Sequence, residues 1–435
     1  MNRVLVIGAA RSGLAIARLL HKEGYQVILN DVKPLDSELK QSLIAMGIEV
    51  VDGSHPQGLI EQEYHWVIKN PGISHRLPFI EALSQKNFIY NEIEIALRFA
   101  KKYQVGAITG TNGKTTVTTL LGEILKQGQK PAFTGGNIGL PISEIVEKNG
   151  DIEALVACEI AAFQLIGTQT FAPKCSVITN LSPDHLDVFA DLEEYYQAKT
   201  RIFKNMGSDD VFLLNLDDEE IVRRCRNLSC KVLTFSFDKA CDCTVRDQVV
   251  YLYDEPLFEL SDLQILGRHN VINAMVAGAM AFVMGIDRAT IQTVIRGFKG
   301  VEHRIEFVRE LHGVKYYNDS KGTNTDATII ALKSFDQPVI LLAGGYDKHT
   351  GFEDLRPYGS QIKQMIVYGA TKHQLRAIFD EAIVVENLSE AVTLAAQLSS
   401  FGDVVLFSPA CASYDQFDNY EQRGKIFKNL VNNLR

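Results

Sequence analysis

The chain has 435 residues, enough at roughly 150 per domain for about three independent hydrophobic cores. Hydrophobic residues make up 46% and charged residues 22%, the values of an ordinary packed protein, which excludes disordered, collagen-like and coiled-coil chains. With 44 Lys and Arg against 53 Asp and Glu, the formal charge of −9 argues against a broad surface for nucleic acid or anionic membrane, so anionic ligands would need local clusters of donors.

The opening apolar run, 4–7, is too short for a signal peptide and reads as a first strand. To about residue 92, strand-like runs (4–7, 26–31, 66–69) alternate with helical patterns (14–21, 39–46), the signature of a parallel sheet with crossover helices. A second α/β series starts near Val105 and includes runs at 154–158, 176–180 and 211–214, then a small-residue helix over 271–284. The weakly polar stretch 274–285 falls short of the roughly 20 residues a membrane span needs. After a linker-like 297–301, a third series runs through 314–318, 339–344, 365–369, 383–386 and 404–409. The expected architecture is therefore α/β in three domains, 1–92, 93–299 and 300–435. Seven scattered cysteines suit free thiols in a reducing cytoplasm, and Cys241 and Cys243 lack the Cys-x-x-Cys or nearby His that would complete a zinc site.

The strongest local signal is Thr109-Gly110-Thr111-Asn112-Gly113-Lys114-Thr115-Thr116, between a strand-like run and the helical 117–126. Glycines let backbone amides close around phosphate oxygens, the helix start adds positive potential, Lys114 supplies a point charge, and a threonine hydroxyl suits Mg²⁺. Only two residues separate the glycines, so this is a shortened phosphate-binding loop. Gly8-Ala9-Ala10-Arg11-Ser12-Gly13, with Asp31 ending the next strand, is a weaker dinucleotide-type signal whose middle glycine is Ala10, and a plain structural turn competes with it. Lys33 reads either as a phosphate contact or as solvated.

Glu159 ends an apolar run at the sheet edge where α/β folds place ligands, which makes it a candidate Mg²⁺ ligand. Asp184-His185 follows another strand end and reads more simply as a helix cap with an exposed histidine. On composition, Lys199 is an ordinary solvated lysine. Gly267-Arg268-His269-Asn270 and Asn273 open the small-residue helix as caps or adenine contacts, and Arg304 reads as a phosphate contact or a surface charge. Segments 318–324, 344–348 and 408–413, rich in Gly, Ser, Thr and Lys, end three strands of the third series and suit a small di-acid.

These motifs, with Asn70-Pro71-Gly72, Gly135-Gly136-Asn137-Ile138-Gly139, Phe163-Gln164-Leu165 and the tail 408–424, occur in an order that resembles the Mur ligase family of ATP-dependent amide synthetases over essentially the full length. The tail is most similar to members that add D-glutamate to UDP-N-acetylmuramoyl-L-alanine. The resemblance implies a Rossmann-like first domain for the UDP-sugar, a P-loop ATPase-like central domain for ATP, and a Rossmann-like third domain for the amino acid. It implies a cytoplasmic monomer with small-molecule substrates, no nucleic acid or membrane partner, two Mg²⁺ ions, and an acyl-phosphate mechanism.

Position by position, the resemblance gives the ATP site as Gly110, Thr111, Asn112, Gly113, Lys114, Thr115, Thr116, Asn273, Arg304 and Asp319. It gives the UDP-sugar site as Ser12, Asp31, Lys33, Gly72, Asn137 and His185, and the D-glutamate site as Lys321, Thr323, Lys348, Ser413 and Tyr420. Metal ligands are Thr115, Thr116, Glu159, His185 and Lys199, the last as a CO₂-derived carbamate, while Lys114, His185 and Lys199 carry the chemistry. The chain departs from the family in writing Ala161-Ala162 where two serines are usual, and in placing Tyr414 and Tyr420 in the tail. Rival readings are a folylpolyglutamate synthase or another stem-peptide ligase, against which the N-terminal nucleotide-like domain and the tail weigh; a non-catalytic nucleotide-binding regulator, against which the joint retention of Lys114, Glu159, His185 and Lys199 speaks; and, from Gly8–Gly13 alone, a NAD-dependent dehydrogenase, against which the phosphate loop argues.

Overall fold

The computed structural model describes residues 2–184, 189–226, 228–347 and 351–435. Strands β1 (Arg3–Ile7), β2 (Gln26–Asp31), β3 (Glu49–Asp52), β4 (Trp66–Lys69) and β5 (Ile89–Tyr90) form an all-parallel sheet in the order β3-β2-β1-β4-β5. Val4, Leu5, Val6 and Ile7 are all inaccessible, because helices cover both faces of a parallel sheet and every side chain of a central strand is then buried. The strand order reverses between β1 and β4, so the loops after these two strands meet at the carboxyl edge.

The second sheet contains β6 (Tyr103–Thr109), β7 (Ala132–Gly136), β8 (Ala154–Glu159), β9 (Cys175–Ile178), β10 (Val211–Asn215), β11 (Lys231–Ser236), β12 (Cys243–Arg246), β13 (Val249–Leu252) and β14 (Glu255–Glu259). Its order is β14-β13-β12-β11-β10-β9-β6-β8-β7, parallel except for the antiparallel ribbon β12-β13-β14. That ribbon turns at Asp247-Gln248 and Tyr253-Asp254, where both residues of each pair have positive φ, as tight hairpins require. The third sheet, β15 (Glu306–Leu311), β16 (Val314–Asn318), β17 (Val339–Gly344), β18 (Ile362–Tyr368), β19 (Ile383–Val384) and β20 (Val404–Phe407), runs β15-β16-β20-β17-β18-β19 with only β15 antiparallel.

Packing groups the chain into two compact units, Met1–Asp262 with Ile272–Arg296, and Leu263–Val271 with Gly297–Arg435. The first unit holds two sheets because the connector between them is bonded to the central one. The helix Glu92–Leu97 starts at its N-cap Asn91, and the buried Glu94 carboxylate accepts the N–H groups of Gln169, Thr170 and Phe171 and the Thr170 hydroxyl. Glu92 accepts the N–H groups of Ile142 (3.3 Å) and Ser143 (2.8 Å), which open the helix Ile142–Asn149. A boundary after residue 92 therefore falls at the start of a helix fastened to its neighbour.

Candidate active site

Strand β6 delivers the loop 110–113 to the carboxyl edge of the central sheet, and the helix Lys114–Lys126 departs from it. Gly110 (φ +139°) and Gly113 (φ +83°) are also sterically obligatory: a Cβ would strike Thr179 Oγ1 at the first and Asn273 Oδ1 at the second. The loop is tied to the end of β9. Thr111 N–H donates to the Asn180 carbonyl (3.0 Å), Asn112 N–H to Asn180 Oδ1 (2.9 Å), and Thr179 Oγ1 to the Asn112 carbonyl (2.6 Å). Lys114 Nζ donates to the carbonyls of Gly110 and Thr111, each at 2.7 Å, which holds the ammonium over the loop. Thr115 and Thr116 are buried in the first helical turn, where the helix dipole favours an anion.

Glu159 ends β8, opposite Ile108 of β6. It is 2% exposed; Oε1 accepts from Asn137 Nδ2 (2.9 Å), while Oε2 has no hydrogen-bond partner among the described residues. A buried carboxylate oxygen is costly to leave unsatisfied, and a hard oxygen donor of this kind fits a divalent cation. Among the described residues no three His, Cys, Asp or Glu side chains gather as a metal cluster, so Glu159 would need hydroxyl or modified-lysine partners.

Lys199, on the helix Leu192–Thr200, is 1% exposed, which overturns the solvated reading. Its Nζ donates to the Gly110 carbonyl (2.8 Å) and lies 4.4 Å from the Tyr195 ring centroid. Burial, reinforced by the Lys114 charge, pushes its pKa well below the usual lysine value against the opposing pull of Asp184 and Glu159. The cap of this helix is Asp191, which accepts Glu194 N–H (2.8 Å), and not Asp184; His185 lies outside the described residues. Ala161 caps the short helix Ala162–Leu165 without a side-chain acceptor, although Gln164 Oε1 still accepts the Ala161 N–H (2.9 Å).

In the first sheet, the helix Arg11–Lys22 begins at Ala10 with no side-chain cap. Asp31 braces the preceding turn, Oδ2 accepting Ala9 N–H (2.7 Å) and Oδ1 accepting Lys33 N–H (2.9 Å); Lys33 itself is exposed. Asn70 Nδ2 donates to Ser12 Oγ (3.1 Å) and its Oδ1 accepts Gly72 N–H (3.2 Å), so Ser12 and Gly72 are gathered by a residue assigned no role in the sequence.

In the second unit, Lys321 Nζ lies 5.7 Å from the Tyr420 ring centroid, and Ser320 Oγ donates to the Tyr420 carbonyl (2.8 Å). Thr323 N–H donates to the Lys321 carbonyl (2.9 Å). Ser413 is buried and Tyr414 is 68% exposed; Lys348 lies outside the described residues. Asp319 is buried, accepting from Ser408 Oγ (2.6 Å) and Ile305 N–H (3.3 Å). Burial raises its pKa to about 6 despite that hydroxyl and the charge of Arg304. Arg423, passed over in the sequence, is fully buried and binds Ser320 Oγ and the carbonyls of Ser320, Cys411 and Ala412, stitching together the loops after β16 and β20. Its place inside the 408–424 tail was the available signal. Asn273 belongs to the first unit, Asn270 and Arg304 to the second.

Residues 108–281 match the family described as Mur ligase middle domain, and residues 303–411 the Mur ligase, glutamate ligase domain. A UDP-N-acetylmuramoylalanine–D-glutamate ligase from Bacillus cereus is 41% identical over 442 residues, covering 100% of this chain and 98% of that protein. One of the same name from Geobacillus sp. is 39% identical at the same coverage. Among solved structures, MurF from Acinetobacter baumannii superposes with a TM-score of 0.64 at 15% identity (99% of this chain, 93% of that one). UDP-N-acetylmuramate-alanine ligase MurC from Thermotoga maritima gives 0.61 at 21% identity (98% of each chain).

Proposed function

The chain belongs to the Mur ligase family of ATP-dependent amide ligases, and from that premise we propose that it joins D-glutamate to UDP-N-acetylmuramoyl-L-alanine, releasing ADP and phosphate. The observation that carries this reading is the convergence of Lys114 and Lys199 on the Gly110 carbonyl, beside the buried Glu159, in a chain matched end to end by D-glutamate ligases. The reaction would be a cytoplasmic step of peptidoglycan precursor synthesis, on which cell shape and division depend. No helix among the described residues is long and apolar enough to cross a membrane.

A carboxylate does not react with an amine until one oxygen becomes a good leaving group. The carboxylate of UDP-N-acetylmuramoyl-L-alanine attacks the γ-phosphorus of ATP, giving an acyl phosphate and ADP. The D-glutamate amine then adds to the acyl carbon, and the tetrahedral intermediate expels phosphate to leave the amide. Most of the catalysis is positioning and charge neutralisation. The loop 110–116 cradles the triphosphate, with Lys114 as its point charge and Asn137 orienting both Glu159 and substrate. Arg304 and Asp319 keep the phosphate and ribose roles, Asn273 the adenine role, and Lys321, Thr323, Lys348, Ser413 and Tyr420 the D-glutamate role that the resemblance gives them. Ser12, Asp31, Lys33 and Gly72 take the uridine nucleotide, so that the three sheets correspond to three substrate domains.

The orphaned Glu159 oxygen, the Thr115 or Thr116 hydroxyl, His185 and a carbamate on Lys199 form a donor set suited to two Mg²⁺ ions. When bound, Mg²⁺ neutralises phosphate charge. Lys199 gains its carbamate when the neutral amine, favoured by burial, attacks CO₂ and releases one proton.

Phosphate release is the test. It should require ATP, UDP-N-acetylmuramoyl-L-alanine and D-glutamate together. Equal turnover with L-glutamate or a diamino acid overturns the assignment.

A further inference from the structure

Lys69, the last residue of β4, is only 8% exposed, yet it carries an ammonium group. It lies beside Ile7 in the sheet register, at the switch point where the loops after β1 and β4 meet. Its Nζ donates to the carbonyls of Ile73 (2.5 Å) and Asn70 (3.2 Å), pulling the loop 70–73 closed. Asn70 N–H donates to the Ile7 carbonyl (2.8 Å), and its side chain links Ser12 Oγ to Gly72 N–H. Asn70 also packs so closely on Gly8 that a Cβ there would lie 2.7 Å from the Asn70 Cβ. Lys69 therefore stands behind the loop, and Asn70 carries its geometry to Ser12 and Gly72.

Burying a cation among neutral carbonyls is expensive, and a neutral donor would close the same loop at lower cost. Burial alone accounts for the fall of the Lys69 pKa to about 8; no carboxylate among the described residues offsets it. What a cation adds is an attractive field for an anion at the mouth of the loop.

We propose that Lys69 is a positioning residue for nucleotide-sugar binding: it holds the loop 70–73 in the conformation that Ser12 and Gly72 need, and biases that crevice toward an anionic ligand. The inference rests on the reading in which this crevice takes the UDP moiety.

Lys69→Met keeps an unbranched stem and removes the charge and both donors. In phosphate-release kinetics with each substrate varied in turn, the variant should show a roughly tenfold higher KM for UDP-N-acetylmuramoyl-L-alanine. Its KM for ATP and for D-glutamate and its kcat should stay within about twofold of the parent. A change below about twofold in the nucleotide-sugar KM, or an equal loss for all three substrates, overturns the proposal. Should Lys69→Met fail to give a cooperative melt, Lys69→Gln decides, since it keeps one donor without charge. It should raise the same KM alone, by about threefold or more, and an unaltered value refutes the idea. Parent protein that neither binds the nucleotide sugar by calorimetry nor turns it over overturns the functional reading and this inference together. Normal parent turnover with unaffected variants overturns this inference alone.

Discussion

Lys199 and Lys114 donate to one acceptor, the Gly110 carbonyl, at 2.8 and 2.7 Å. Burial first, and then the repulsion between two ammonium groups that share one carbonyl, lowers the affinity of Lys199 for its proton. A neutral amine in reach of CO₂ is the precondition for a carbamate, which would turn the repulsion into an attraction. Activity should therefore fall after exhaustive CO₂ removal and return with bicarbonate, and ¹³CO₂ should add one carbamate resonance that Lys199→Ala lacks. Lys199→Ala should lower kcat by about 10²-fold or more, as expected when a metal-site charge is deleted. Full activity of a CO₂-free sample contradicts this.

Glu159 has one oxygen engaged by Asn137 and one orphaned, so its two oxygens separate a structural from a ligating task. Glu159→Gln can still accept from Asn137 but replaces the other oxygen with a poor metal donor. The expected result is a fall of about 10² in kcat/KM for ATP, with the Mg²⁺ concentration for half-maximal rate displaced upward and the melting temperature little changed. An unaltered Mg²⁺ requirement rules out Glu159 as a ligand.

How far the sequence reveals this site depends on the range of the interactions involved. Strands β1 and β8 were readable because they are buried on both faces and their apolar runs are continuous. β7, Ala132–Gly136, was missed because threonine and two glycines break its pattern. The ribbon β12-β13-β14 was missed because it turns on Asp-Gln and Tyr-Asp instead of the glycine pairs that announce hairpins. The phosphate loop is local and declared itself. Its anchors Thr179 and Asn180 act across long stretches of chain and nothing in their immediate neighbours marks them, while Arg423 in the second unit was signalled only by its place in the 408–424 tail. The burial of Lys199 ran against every compositional expectation and was reached only through family resemblance.

Ala161 leaves half a capping box: the Gln164 side chain reaches back to its N–H, while the Gln164 N–H, with no hydroxyl at the cap, donates to the Ala161 carbonyl (3.0 Å). Ala161→Ser should offer the Gln164 N–H a hydroxyl acceptor beside that carbonyl and stabilise the protein by about 0.5 kcal/mol in urea unfolding. Because the serine would complete a cap and not a substrate contact, kcat and the KM for the UDP-sugar should move by no more than a few-fold. A large gain in kcat would show that the lost hydroxyl belonged to the chemistry.

Asp319 supplies a prediction whose sign is fixed by linkage. Its carboxyl is raised from an ordinary 3.8 to about 6 by burial, with Ser408, Arg304, Ile305 N–H and Arg423 pulling the other way. A raised folded-state pKa means that the native chain holds the proton more tightly than the unfolded one. The resulting stability is fully present below about pH 4 and is lost as pH rises through about 6. The ionised form then costs on the order of 3 kcal/mol relative to a group that cannot titrate. Asp319→Asn should therefore melt close to the parent at pH 4, become the more stable protein between pH 4 and 7, and hold that margin at pH 8. Calorimetric melts across that range decide it: a difference independent of pH, or one in favour of the parent at pH 8, shows that burial does not govern this carboxyl. If Asp319→Asn also loses activity at pH 8 while gaining stability, the ionised carboxylate is retained for the ligand at the expense of the fold.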